Sequence, residues 1–154
     1  MDKDSFRAVL GRFASGVTII TTLDAEGAPT GLTATSFASL SLDPPLVLFC
    51  LARTANCFED FQRAGSFAVN ILAHGQDAIS NIFASRGAEK YVGVGYRKGE
   101  LGDPLLDGAL ASMECRIAAR HPGGDHVIYV GEVQAVQAGE GRPLLYYQGK
   151  YHTL

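Results

Sequence analysis

The sequence predicts a mainly β fold with peripheral helices, arranged as a closed or split barrel. Three observations predict it. Short runs rich in Val, Ile, Thr and aromatic residues recur along the chain, which is how strands read. The 18 glycines fall mostly between those runs, where turns are needed, and not inside helical stretches. Roughly seven such runs, with helical periodicity confined to short segments, leave a sheet curled on itself as the compact way to bury one core.

The elements follow in order. "DSFRAVLGRFASG" (4–16) places Phe6, Val9, Leu10 and Phe13 on one helical face, with Asp4 or Ser5 as N-cap and Gly16 as terminator. "VTIITTL" (17–23) is almost wholly β-branched and reads as a strand. "DAEG" (24–27) turns the chain into "PTGLTATSF" (29–37), the second strand of a hairpin. "SLSLDPP" (39–45) is expected as a loop, because its prolines cannot sit in a central strand. "LVLFCL" (46–51) is a buried strand. Thr54 is expected to cap a short helix over "ANCFEDFQRAG" (55–65). "SFAVNIL" (66–72) alternates as a strand, and "GQDAISNIFA" (75–84) is another short helix. Residues 85–107 read as irregular and polar. "ALASMECRIAAR", "HVIYVGEVQAVQ" and "PLLYY" are three further strands, joined by "HPGGD" and "AGEGR". No repeat, linker or low-complexity segment interrupts them, so a single domain over 1–154 is expected.

Composition excludes several functions. The net charge is −3 and the thirteen Lys and Arg are scattered, so the basic stripe of a nucleic-acid binder is missing. The charged start "MDKDSFRAVLGRF" lacks the apolar core of a secretory signal. The longest apolar run, "PPLVLFCLA" (44–52), is about half of what a membrane helix requires. A soluble, cytoplasmic protein with no membrane partner is expected. Cys50, Cys57 and Cys115 have no metal or redox spacing and read as reduced structural residues.

Common catalytic signatures are missing too. No Gly-x-Gly-x-x-Gly follows a strand, and "GVGYRKG" (93–99) has the wrong spacing. His74, His121, His126 and His152 are never paired at i, i+4, no Cys–His set has zinc spacing, and nothing resembles a nucleophilic serine elbow. No metal is expected.

Three stretches carry chemistry. In "GLTATSFASLSLDPP" (31–45), small hydroxyls alternate with apolar side chains. An extended chain there would line one surface with hydroxyl and backbone donors, suited to a planar heteroaromatic ring and a phosphate. An ordinary Thr/Ser-rich strand and turn is the competing reading. In "LARTANCF" (51–58) a strand ends at Arg53 and Thr54 before a helix, a reasonable phosphate site or simply a capped helix with a solvated arginine. In "HPGGDHVIYVGEV" (121–133) the glycines serve a hairpin, but a hairpin does not need His126.

These stretches, with "FAVNILA", "GDPLLDGALASMECRI" and "PLLYYQGKYHTL", resemble the flavin reductase-like family, the short-chain NAD(P)H:flavin oxidoreductases that supply reduced flavin to two-component monooxygenases. The resemblance covers nearly the whole chain and keeps the motif order. It implies an FMN-binding split β-barrel, Greek-key-like, working as a homodimer with flavin near the subunit interface. By resemblance, Thr33, Ala34, Thr35, Ser36 and Phe37 form the flavin-binding segment, with Ser39 and Ser41 towards the ribityl and phosphate end. Arg53, Thr54 and Asn56 match the segment that receives the flavin phosphate. Phe83, Arg86 and Lys90 match a region that closes over the flavin. Gly124-Asp125-His126 matches a motif associated with NAD(P)H, with His126 reaching the nicotinamide or pyrophosphate, and Tyr151 is a candidate for packing near the nicotinamide. The chain departs from the pattern at Ala14-Ser15, where Pro-Thr is common, at Thr35, where Asn is common, and at Tyr96, where an indole is common.

The implied reaction is hydride transfer from NADH or NADPH to FMN or FAD, which needs positioning and not an acid–base dyad. The missing arginine pair near Gly124 favours NADH. A non-catalytic FMN-binding electron-relay barrel and another reductase or oxidase on the same split barrel are the alternatives.

Overall fold

The computed structural model describes residues 1–87 and 89–154. The chain runs α1 (Lys3–Leu10), β1 (Ser15–Gly16), β2 (Thr18–Leu23), β3 (Pro29–Ala34), β4 (Ala38–Leu42), β5 (Pro45–Ala52), α2 (Phe58–Arg63), β6 (Ser66–Ile71), α3 (Asp77–Ala84), β7 (Tyr96–Lys98), β8 (Pro104–Leu106), β9 (Ala111–Gly123), β10 (His126–Ala138), β11 (Leu144–Tyr147) and β12 (Lys150–Thr153). Seven strands make one antiparallel sheet in the order β3-β2-β6-β9-β10-β5-β4, while β1-β11-β12 and β7-β8 form small sheets beside it. The large sheet curls until its β3 side meets β5. There the Ser36 hydroxyl donates to the Cys50 carbonyl at 3.2 Å and accepts from the Cys50 N–H at 3.0 Å. A side chain bridges the seam instead of a ladder, so the barrel is split and not closed.

β2 explains why the curl is stable. Its strand is buried on both faces, which is why the sequence shows a continuous β-branched run and not alternation. Ile20 enters a core with Phe49, Phe61, Phe67 and Tyr129. Ile19, facing the other way, enters a second core with Leu72, Phe83 and Leu144. The buried Thr18, Thr21 and Thr22 hydroxyls donate to the carbonyls of Ala34, Pro104 and Ser66 at 2.6, 2.6 and 2.9 Å, so none is left unpaired.

Several expectations are corrected. Residues 39–42 are not a loop but belong to edge strand β4, which pairs with β5 around a bulge at Leu40. The prolines sit in the turn and at the first position of β5, where no ladder donor is lost. The α1 cap is Asp2, whose carboxylate accepts from Asp4 N and Ser5 N, and Gly11 rather than Gly16 closes the helix. Phe6, Val9, Leu10 and Phe13 face no core of their own chain, being 51, 69, 55 and 83 % exposed. Thr54 caps nothing: turns at Ala55 and Phe58 delay α2 until after Cys57, which has no side-chain cap bond. Residues 85–107 contain the β7–β8 hairpin, and β12 follows a tight turn in which Gln148 and Gly149 have φ of 50° and 75°.

One buried acid gives a pH prediction. Asp103 is 2 % exposed, and its Oδ2 has no hydrogen-bond partner among the described residues. Burial pushes its carboxyl up from 3.8 to about 6, against weaker opposition from the Ser66 and Thr22 hydroxyls. The folded state therefore holds this proton more tightly than the unfolded chain. Its stabilising effect is full below about pH 4 and is lost as pH rises to about 6, on the order of 3 kcal/mol across the window. Asp103→Asn is expected to flatten that part of the stability profile, measured by urea unfolding at pH 4 and pH 7. A wild-type slope retained in the variant would contradict it.

Candidate functional site

A cleft of about 460 Å³ opens where β3, the turn after β5 and the segment after α3 meet. Thr33, Thr54, Asn56, Phe83, Arg86 and Lys90 line it, six of the residues singled out from the sequence. Its lining holds two cationic side chains and no carboxylate, so it suits an anionic ligand. Cys57 also lines it, but burial pushes that thiol up to about 11, so it is an uncharged wall residue. Gly31 and Leu32, which open the 31–45 stretch, and Thr30 just before it join the lining although none was singled out as a contact. The signal available was that they share one extended run with Thr33.

The hydroxyls are largely engaged in building the walls. Thr33 donates to the Ser80 carbonyl at 2.6 Å and so docks α3 on β3. Tyr151 braces the same helix from β12: its hydroxyl donates to Asn81 Oδ1 at 2.9 Å and lies 2.7 Å from Ser80 Oγ. Tyr151 therefore holds α3 and does not line the cleft. Asn56 Nδ2 donates to the Arg86 carbonyl at 2.9 Å, tying one lip to the other. The Lys90 ammonium donates to the carbonyls of Ile82 and Ser85 at the end of α3, and partial burial lowers its pKa. Phe83 is 2 % exposed and meets the Tyr91 ring edge-on, forming part of the apolar floor.

The rest of the 33–41 stretch is spread out. Ala34 is buried and its carbonyl accepts from Thr18, Thr35 is exposed, Ser36 closes the barrel seam, and Phe37 packs against the main core. Ser39 and Ser41 stand opposite Val47 and Leu46 on β4. That is the far end of β5 from Arg53, roughly 20 Å away at strand rise, so one chain does not bring them to the cleft.

The "GGDH" hairpin does not line the cleft but adjoins it across Ala52. β9 and β10 pair up to His126↔Gly123, leaving Gly124 and Asp125 as a two-residue turn. Gly124 has φ +66°, the left-handed conformation that the first position of such a turn requires. His126 also stands opposite Ala52, the last residue of β5 and part of the cleft lining. Asp125 Oδ1 lies 2.7 Å from His126 Nδ1, which holds the Asp125 carboxyl below the usual range. With Nδ1 committed, Nε2 is the ring nitrogen left for a ligand.

A family model described as flavin reductase like domain matches residues 10–154. The chain belongs to the flavin reductase-like family. The flavin-dependent monooxygenase reductase subunit HsaB of Rhodococcus jostii is 45% identical over 152 residues, 98% of this chain and 77% of that protein. An NADH-dependent flavin reductase from Rhodococcus is 41% identical over 151 residues, 96% of this chain and 84% of the relative. In structure, the NADH:FAD oxidoreductase SgcE6 of Streptomyces globisporus, solved with NAD and FAD fragments, matches with a TM-score of 0.93 at 36% identity. That match covers 98% of this chain and 92% of the other. The architecture of this flavin reductase-like chain is the mainly β split barrel that the resemblance implied. Among its described residues no helix is long and apolar enough to cross a membrane.

Proposed function

We propose that this chain is, over residues 1–154, a single flavin reductase-like domain that moves hydride from NADH to FMN or FAD. We infer further that the reduced flavin serves a separate flavin-dependent monooxygenase. The carrying observation is the juxtaposition of an acid-free cationic cleft with the Gly124-Asp125-His126 hairpin across Ala52. The cleft's volume lies in the range of cofactor pockets, with β3 backbone, the apolar Phe83 floor and the Arg86 and Lys90 cations as its surfaces. These residues fit a flat ring with a phosphorylated tail. When bound, flavin supplies the hydride acceptor and the nicotinamide supplies the hydride.

The protein's share is then positional. β3 and Phe83 orient the ring system, while Arg86 and Lys90 provide positive potential for the tail. His126, fixed by Asp125, presents Nε2 beside the cleft mouth and orients the second nucleotide. No side chain gains or loses a proton in the chemical step, which agrees with a lining free of acid–base pairs. NADH as donor and a partner oxygenase draw support from the names of the Rhodococcus relatives.

The functional unit is proposed to be a homodimer. Phe6, Val9 and Leu10 of α1, Phe13 just after it and the nearly bare Leu42 of β4 are exposed large apolar side chains, of the kind that a second copy would cover. Steady-state NADH oxidation under air, with and without FMN, FAD or riboflavin, tests the reading. Flavin-dependent turnover is expected. Flavin binding without consumption of NADH or NADPH would move the protein to the electron-relay alternative.

A further inference from the structure

We infer that Arg53 is a positioning residue that anchors the Gly124-Asp125-His126 hairpin to the flavin cleft, rather than a ligand of the flavin phosphate. The inference rests on the flavin reductase reading and adds a role that the motif comparison did not give it. Two bonds from one residue hold the turn. The Arg53 N–H donates to the Asp125 carbonyl at 2.9 Å, and Arg53 Nε donates to the Gly124 carbonyl at 3.2 Å. The first continues the β5–β10 ladder one step past the Ala52↔His126 pair. The second is charge-assisted and fixes the guanidinium plane over the turn.

The cleft lining agrees. Ala52 and Thr54 line the cleft, and Arg53 between them does not. The chain leaves β5 in a tight turn over 52–55, closed by the Ala55 N–H donating to the Ala52 carbonyl at 3.0 Å, and the Arg53 side chain goes to the hairpin instead. The hairpin needs such an anchor. Residues 121–125 are all exposed, and the Asp125 side chain is 94 % accessible, so no core packing fixes this tip. Among the described residues, the bonds to the two turn residues from outside β9 and β10 are these two. Arg53 thus sets where His126 stands relative to the cleft, and Asp125 sets which ring nitrogen His126 offers.

Riboflavin as electron acceptor separates this role from phosphate binding, because riboflavin carries no phosphate. With riboflavin and NADH, Arg53→Ala and Arg53→Lys are both expected to raise the KM for NADH by about tenfold, the effect of losing one charge-assisted hydrogen bond. Lysine fails with alanine because it keeps the charge but has no Nε donor at that place on the stem. In both variants kcat at saturating NADH and the ratio of FMN to riboflavin Kd stay within about twofold of wild type. A readout independent of turnover accompanies this. In the free protein, 15N order parameters at residues 121–126 fall in both variants while the unfolding midpoint stays put.

Unchanged NADH KM with riboflavin, unchanged order parameters, or a loss confined to FMN would overturn the inference and return Arg53 to the phosphate. A wild-type protein that oxidises no NADH with any flavin marks a different failure, that of the reductase reading itself.

Discussion

His126→Ala is expected to raise the KM for the nicotinamide nucleotide by roughly 10- to 100-fold, the range of one lost hydrogen bond to a charged or oriented partner. Flavin Kd is expected to stay within about twofold, because His126 is not among the cleft-lining residues. Asp125 holds Nδ1 at 2.7 Å, so the neutral ring presents Nε2 as an acceptor, and the protonated ring presents it as a donor. Alanine removes both possibilities but leaves the turn, since Gly124 and the Arg53 bonds are untouched. The effect therefore falls on nucleotide binding and not on folding. Initial rates against NADH concentration, with flavin titrated separately by fluorescence, measure the two effects. Unaltered steady-state kinetics would remove His126 from the site.

Phe49→Ala is expected to destabilise the fold by about 3–5 kcal/mol, the usual cost of emptying a fully buried aromatic site. Phe49 is wholly buried on β5 and is the centre of the main core. It stacks on Tyr129 at 5.1 Å between ring centroids, and meets Phe61 and Phe67 edge-on at 5.6 and 4.9 Å. Those three rings come from β10, α2 and β6, so one deletion loosens the sheet and the helix beyond the cleft at once. The packed partners leave little room to collapse, which puts the cost at the high end for a core position. Denaturant unfolding followed by fluorescence or circular dichroism tests this. A loss below about 1 kcal/mol would mean that the core repacks around the gap.

How much of this was legible in the sequence differs by element. β2, β5, β6, β9 and β10 were readable because their runs of β-branched and aromatic residues are long and bounded by turn residues. β4 was misread because two prolines outweighed its Ser39-Leu40-Ser41-Leu42 alternation, although both prolines lie outside the ladder that they would disrupt. Phe6, Val9 and Leu10 of the stripe do lie on a helix, and Phe13 falls beyond its end, but nothing in the period tells whether that face meets a core of the same chain or stays exposed.

The site divides in the same way. Thr33, Thr54, Asn56, Phe83 and Lys90 do meet in one cleft, as their motifs suggested. What each side chain does there was not readable, because its partner is remote in sequence. Thr33 meets Ser80, Ser36 meets Cys50, Asn56 meets Arg86 and Arg53 meets Gly124. Hydroxyls that look available in a linear motif are already engaged in holding the barrel together.

The central claim is that cleft and hairpin together carry a hydride from one nucleotide to another. Anaerobic rapid mixing of the protein and FMN with NADH, and with NADH deuterated at the transferred position, tests it most directly. The account predicts bleaching of the oxidised flavin band with one NADH consumed per flavin, slowed by deuterium. Flavin that binds the protein but keeps its oxidised spectrum in the presence of NADH and NADPH would contradict it.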